Sequence, residues 1–291
     1  MKAYIFPNFD KKNCKEHTLD ACTVLFNNGI DISIDLEYKD ILSLPFEARY
    51  GEEADLIKDC DIVVAIGGDG TIIRCAGLAA VCSKPVVGIN CGRLGFMASL
   101  EHSELDRLSL LKEGQFSKSK RMMLKAYVYK KDELKGTFHA LNDIVISKCS
   151  DSKIADFEVS KGGSIISSLR ADGVIFSTPT GATAYSMSAG GPIIEPDLEC
   201  IEFTQICPHS LFARSMIFSA ESELTIRCHA NKDAKAVINV DGENVFNIGV
   251  GDKVIITRSE YSIELIDLIG GSFFNSVNTK LMQPLKGKGE G

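Results

Sequence analysis

No apolar run in this 291-residue sequence approaches the roughly 20 residues needed to cross a bilayer. A secretory signal is missing too: MKAYIFPNFDKK has too short an apolar stretch and reads as a first strand. Both readings lead to the expectation of a cytoplasmic protein. No CxxC pair occurs among the ten cysteines. The closest pairs, Cys75 with Cys82 and Cys200 with Cys207, stand seven residues apart. Most cysteines, such as Cys22, Cys75 and Cys228, lie within apolar segments, so buried reduced thiols are expected rather than disulfides or zinc. An excess of positive charge is also lacking. The net charge of −7 disfavours a nucleic-acid or anionic-membrane partner, which would require a basic face. A nucleotide remains compatible, because a few backbone amides and cations suffice to hold a phosphate. There is no GxxxxGK[ST] and hence no P-loop, and no internal repeat is visible.

What is present is the usage of a globular protein, 45% apolar and 24% charged, with length for one large domain or two ordinary ones. The first 115 residues alternate strand and helix patterns. AYIFP (3–7) is a short strand, a helix runs from about Cys14 to Phe26, and Asn27-Asn28-Gly29 suits a left-handed cap. IDISIDL (30–36) alternates as a half-buried strand would. A helix around Glu52–Lys58 leads to DIVVAI (61–66), an apolar run fitting a parallel strand covered on both faces. GGDG, a helix from about Thr71 to Val81, the strand Pro85–Ile89 and a helical stripe of Leu105, Leu108, Leu110 and Leu111 follow. This alternation predicts a doubly wound α/β domain. From about Phe116 short alternating runs separated by Gly, Asp, Asn and Lys predict an antiparallel β-rich domain, with ELKG (133–136) as one of its turns. The expected division is 1–115, 116–275 and a tail, 276–291, whose polar, glycine-rich end KGKGEG does not fold.

Several motifs fall where such a fold binds ligands. Gly67-Gly68-Asp69-Gly70-Thr71 follows a buried strand and opens a helix, where glycines let the backbone approach a phosphate and free amides face an anion. Asp69 in that crevice is suited to hold a divalent cation or to accept a hydroxyl proton, as phosphoryl transfer requires; the plainer reading is a helix cap. Asn90–Phe96 (NCGRLGF) could form a second phosphate-facing loop or a structural turn. Asn142-Asp143 can donate to and accept from ribose hydroxyls, or mark a bend. In 177–185 five hydroxyl side chains surround Pro179 and Gly181, leaving room for a flat base against which Tyr185 can pack.

GGDGT at 67–71, GINCGRLGF at 88–96, LND at 141–143, ADG at 171–173, STPTGATAYSMSAGGPI at 177–193 and CPHSL at 207–211 together resemble the NAD kinases, in that family's order and over roughly residues 60 to 245. GGDG alone is shared with diacylglycerol, sphingosine and phosphofructo-kinases; the TPTGATAYS block is far more specific. The resemblance implies an N-terminal α/β domain followed by an antiparallel β-rich domain, the NAD kinase/diacylglycerol kinase-like fold. It also implies transfer of a phosphoryl group from ATP, with Mg²⁺ or another divalent metal, to the 2′-hydroxyl of NAD's adenosine ribose.

Carried over by position, Asp69 is the implied proton acceptor, and Gly67, Gly68, Asp69 and Gly70 line the nucleotide. Arg74 matches a nucleotide-binding position. Asn142 and Asp143 match the pair that binds the adenosine half, with Asp where Glu is commoner. Lys153, Arg170 and Asp172 match residues around the dinucleotide. Thr183, Ala184, Tyr185, Ser186, Met187 and Ser188 match the adenine and nicotinamide contact segment, His209 borders the site, and Glu243 stands where many relatives carry Gln. No protein-held metal ligand is implied, and such proteins are commonly homodimers or homotetramers. A GGDG-type lipid kinase and a non-catalytic NAD(P) sensor are the rival readings.

Overall fold

The computed structural model describes residues 1–92, 95–149, 154–210, 213–229, 236–270 and 273–281, with backbone alone at 275 and 279–281. The chain forms two compact units, one of residues 1–75, 84–119 and 264–291, the other of 76–83 and 120–263.

The first unit is built on β1 (Lys2–Pro7), α1 (Cys14–Asn27), β2 (Asp31–Asp35), β3 (Arg49–Gly51), α2 (Glu53–Asp59), β4 (Ile62–Gly67), the first half of α3 (Asp69–Val81) and β5 (Val86–Asn90), with α4 (Ser109–Glu113) following. The strands are parallel in the order β3-β2-β1-β4-β5. β4 is buried at all six positions, as an apolar strand flanked on both edges and covered on both faces must be. On one face Ile5, Ile34, Val64 and Ile89 share a core with Ala21, Cys22 and Leu25 of α1. α1 stops where Gly29 takes φ 69°. The amides of Gly29 and Ile30 return to the carbonyls of Phe26 and Leu25 at 2.9 and 3.1 Å, a Schellman closure that satisfies the otherwise orphaned carbonyls.

Three local expectations are corrected. β2 is not half-buried: Ile32, Ser33 and Ile34 are all inside, and the Ser33 hydroxyl donates to the carbonyl of Ala3 at 3.2 Å. Residues 102–108 wind as a 3₁₀ helix before α4 begins. The three-residue spacing of Leu105, Leu108 and Leu111, all buried, fits that tighter turn. α3 starts at Asp69 rather than Thr71, so Asp69 and Gly70 belong to its first turn.

The second unit contains the second half of α3, most of β6 (Ser117–Lys130), β7 (Glu133–Ala140), β8 (Asp143–Lys148), β9 (Ala155–Lys161), β10 (Ser164–Ala171), β11 (Gly173–Ser177), α5 (Tyr185–Ser188), β12 (Cys200–Ile206), β13 (Met216–Ser219), β14 (Leu224–His229), β15 (Ala236–Val240), β16 (Glu243–Ile248) and most of β17 (Lys253–Asp267). One antiparallel sheet runs β13-β12-β11-β8-β15-β16; β10-β9-β14-β17, with β6 and β7, forms the other. Side chains from both meet in one core that includes Leu124, Ile146, Phe157, Phe176, Phe203 and Ile256. ELKG is not a turn but the start of β7. The reversal is Lys131-Asp132, both at positive φ, the two-residue geometry that suits a tight hairpin.

β17 ends in the first unit, where Leu265 lies parallel to Val86. A last helix, α6 (Phe273–Leu281), occupies the start of the expected tail; KGKGEG lies outside the described residues. Among the described residues no helix is long and apolar enough to cross a membrane.

Replacing Gly29 by Ala leaves every contact in place, since nothing lies within 4 Å of the added Cβ, but forces alanine into the left-handed region. Gly29→Ala is expected to cost about 1 kcal/mol in urea unfolding, and Gly29→Asn less.

Candidate functional site

In the first unit β1 and β4 are neighbours whose chains depart in opposite directions, β1 through α1 to β2 and β4 through α3 to β5. The carboxyl end of such a pair is where open α/β sheets bind ligands. Asn8 follows β1, and its side-chain amide donates to the Thr71 hydroxyl at 2.9 Å. Gly68 and Gly70 follow β4 with nothing near the Cβ each lacks, so this backbone is open to a phosphate at a helix N-terminus.

Asp69 does not cap its own helix. Its Oδ2 accepts the Phe96 amide at 2.8 Å and its Oδ1 the Met97 amide at 3.2 Å. Gly95 makes this possible, because a Cβ there would overlap the carboxylate. The loop after β5, read as a phosphate cradle or a turn, thus orients Asp69; Arg93 and Leu94 lie outside the described residues. Each carboxylate oxygen keeps a lone pair for a hydroxyl. Arg74 is exposed, with its guanidinium 5.5 Å from the Phe6 ring centroid, not on Asp69.

In the second unit, strand alternation sorts the six-stranded sheet into two faces. Ile144 and Ile146 of β8, Val174 and Phe176 of β11, and Ile238 and Val240 of β15 enter the core. The alternate positions Asp143, Val145, Ser147 and Asn239 line a cavity of ≈ 480 Å³ on the outer face, with Asn142, Ala184, Tyr185, Asp241 and Gly242. Of the residues expected from sequence, Asn142, Asp143, Ala184 and Tyr185 therefore come together. Asn239, Asp241, Val145 and Ser147 were missed.

Asp241 organises the cavity. Its carboxylate accepts the amides of Leu141, Asn142 and Asp143 at 2.8, 2.7 and 3.1 Å, while its own amide donates to the Asp143 carbonyl at 3.0 Å. Asp143 is 5% exposed. Burial, then the neighbouring charge of Asp241, pushes its carboxyl up to about 7, so at neutral pH it can donate as well as accept. The side-chain oxygen of Asn142 is buried without a protein partner among the described residues.

The hydroxyl-rich stretch divides by role. Thr178 donates to the Leu141 carbonyl at 2.6 Å, and Ser177 to the Asn142 carbonyl at 3.2 Å; Thr183 donates to the Thr180 carbonyl at 3.3 Å. Ser186 is buried and donates to Glu202 at 2.7 Å. The hydroxyls of Ser177, Thr178, Thr183 and Ser186 are thus spent on the fold. Tyr185, 47% exposed, is the face left free. Met187 is half-buried and Ser188 exposed; neither lines the cavity.

Other expected residues lie elsewhere. Arg170 makes a two-point pair with Asp156 at 2.7 and 3.0 Å, and Asp172 pairs with Lys148 at 2.8 Å. The His209 ring is exposed, its amide donating to the Arg170 carbonyl at 2.8 Å. Glu243 is exposed at the start of β16, next to the Asp241-Gly242 turn but not in the cavity lining. Lys153 lies outside the described residues.

The ATP-NAD kinase N-terminal domain family matches residues 4–110, and the ATP-NAD kinase C-terminal domain family matches residues 141–268. An NAD kinase of Natranaerobius thermophilus is 35% identical over 279 residues, 95% of this chain and 96% of that one. The chain belongs to the NAD kinase family. An NAD kinase of Symbiobacterium thermophilum is 40% identical over 224 residues, covering 77% of this chain and 79% of that one. Yeast NADH kinase, solved with NADH, shares the fold at a TM-score of 0.86 and 24% identity, over 100% of this chain and 89% of that one. An NAD kinase from Archaeoglobus fulgidus, solved with ATP, does so at 0.71 and 22%, over 97% and 99%.

The raised Asp143 carboxyl sets a pH test. Its folded form holds a proton that the unfolded chain releases in the ordinary carboxylate range, so its stabilising contribution is complete at low pH and is lost as pH rises through about 7. Asp143→Asn should flatten the fall in Tm between about pH 5 and about pH 8 relative to the unsubstituted protein. An unchanged fall would show that Asp143 titrates normally.

Proposed function

We propose that this chain phosphorylates the 2′-hydroxyl of NAD's adenosine ribose, with ATP as donor, to give NADP. The observation that carries the reading is Asp69: a carboxylate oriented by two backbone amides, beside open glycine backbone at a helix N-terminus. Binding alone does not need an acid among phosphate-facing amides, whereas transfer to a hydroxyl needs a proton acceptor.

The cavity of the second unit suits an adenosine. Its volume of ≈ 480 Å³ falls in the small-molecule range. Tyr185 offers a flat surface, while Asn142 and Asp143 offer unspent hydrogen-bonding capacity for a base edge or sugar hydroxyls. In the first unit the Gly68–Gly70 backbone takes phosphate oxygens, and Asp69 orients the attacking hydroxyl and accepts its proton as the phosphoryl group transfers. A positioned base supplies on the order of 10² to 10⁴ in rate, so alignment carries much of the rest.

Among the described residues no three His, Cys, Asp or Glu side chains are grouped to hold a metal ion. On this reading the divalent ion enters with the ATP substrate as its magnesium complex. The lined carboxyls, an amide and hydroxyl groups also disfavour a lipid kinase, whose acyl chains would strand these polar groups without partners. We place the reaction in the cytoplasm, where the ten unpaired thiols stay reduced. We propose a homodimer or homotetramer, supported by Ile165 and Ile217, 61% and 56% exposed, on the edge strands β10 and β13.

Incubation with NAD, ATP and Mg²⁺ should yield NADP, and Asp69→Asn should lower turnover at least about a hundredfold with little change in NAD affinity. A variant of near-normal rate removes Asp69 from the reaction. A dinucleotide-dependent thermal shift with no NADP formed identifies a sensor instead. Tyr185→Ala should weaken NAD binding more than ATP binding; equal weakening points to a general loss of structure.

A further inference from the structure

Behind Tyr185 lies a buried polar cluster that takes no part in the chemistry above. Glu202 of β12 has no exposed surface. Its Oε1 accepts the Ser186 hydroxyl at 2.7 Å and the Thr204 hydroxyl at 3.0 Å. Thr204 also lies 3.0 Å from Ser186 and 2.8 Å from the Ser215 hydroxyl. The register sets Glu202 opposite Ser177, and Ser177 opposite Asp143. The three residues therefore form one row across the outer face of the sheet, running from the cavity lining to the residue beneath α5.

The segment above is drawn down onto this row. Gly191 packs so closely that a Cβ would overlap both the Glu202 carboxyl and the Ser186 hydroxyl, and its amide closes on the Ser186 carbonyl at 2.9 Å. Both ends of the turn 186–191 thus meet at one buried side chain. A carboxyl group with no exposed surface is costly to keep in a sheet. It is expected there only if its removal would release something, and what it holds is the residue next to Tyr185.

We propose that Glu202 is a positioning residue for dinucleotide binding: through Ser186 it fixes α5, and with it the Tyr185 ring at the cavity. Tyr185 is exposed, and α5 is a single turn of four residues. Such a helix has little stability of its own, so an anchor from the sheet sets the ring's orientation. The proposal rests on the kinase reading for the identity of the ligand but not for the anchoring itself.

The test combines steady-state kinetics with amide exchange on the full chain. Glu202→Ala should raise the KM for NAD about tenfold, the scale of one lost buried hydrogen bond to a carboxyl group, while the KM for ATP stays within about twofold. It should also speed exchange of the Ala189, Gly190 and Gly191 amides, which close the turn over α5. Glu202→Gln keeps an acceptor oxygen for both hydroxyls and should restore both readouts. If Glu202→Ala fails to fold, Ser186→Ala cuts the same link with a smaller change and should give the same selective rise. Equal rises for NAD and ATP, unchanged exchange at 189–191, or a Gln variant as defective as Ala would each overturn the proposal. A wild-type chain that makes no NADP sinks the kinase reading, and the exchange comparison then still decides the anchoring.

Discussion

Three successive backbone amides, those of Leu141, Asn142 and Asp143, end on the single carboxylate of Asp241, and the cavity of the second unit depends on that convergence. The amides at the β7–β8 break belong to no ladder, so an acceptor must come from elsewhere. The β15–β16 hairpin supplies it. Asp241 and Gly242, at φ 49° and 87°, make the two-residue reversal whose twist suits a hairpin, with Val240 opposite Glu243. Burial pushes the Asp241 carboxyl up, and the three donors oppose that shift in part. Burial raises the proton affinity of both acids, and Asp143 has no such donors to oppose it.

This arrangement follows from the two-residue period of a strand. One register step separates Ile144, in the core, from Asp143, in the cavity, and Phe176 from Ser177 in the same way. A slip of one residue would bury Asp143, Ser177 and Glu202 among phenylalanines and expose the core. The apolar face therefore enforces the position of the polar one, and the hydroxyls of Ser177 and Thr178 then tie the 177–181 turn to the Leu141–Asn142 break. Stability and site geometry are the same constraint here.

That division explains what the sequence made legible. Runs such as IVVAIG and the alternation of DIVISK announce which faces are apolar, so the parallel and antiparallel halves could be read directly. Asn142, Asp143 and Tyr185 stood out as polar or aromatic groups where packing did not require them. Asp241 did not, because Asp-Gly in a strand-rich stretch reads as a turn, and a turn is what it is. Its second role depends on contacts about a hundred residues away, which no local pattern carries. The partners of the hydroxyls in 177–185 were not legible for the related reason that composition cannot separate a hydroxyl spent on the backbone from one facing solvent. The partnership of Asp69 with residues 96 and 97 was hidden likewise, since it needs a glycine at 95 that by itself marks only a bend.

An acidic chain that handles dinucleotides and triphosphates raises a question of charge, and the two units answer it by different means. In the first, open backbone at a helix N-terminus attracts phosphate through oriented amides, a short-range effect that a net charge of −7 does not cancel at contact distance. In the second, the cavity is lined by Asp143 and Asp241, with no lysine or arginine among its described lining residues. Such a wall offers phosphate no cation and suits groups that exchange hydrogen bonds, as an exocyclic amine or sugar hydroxyls do.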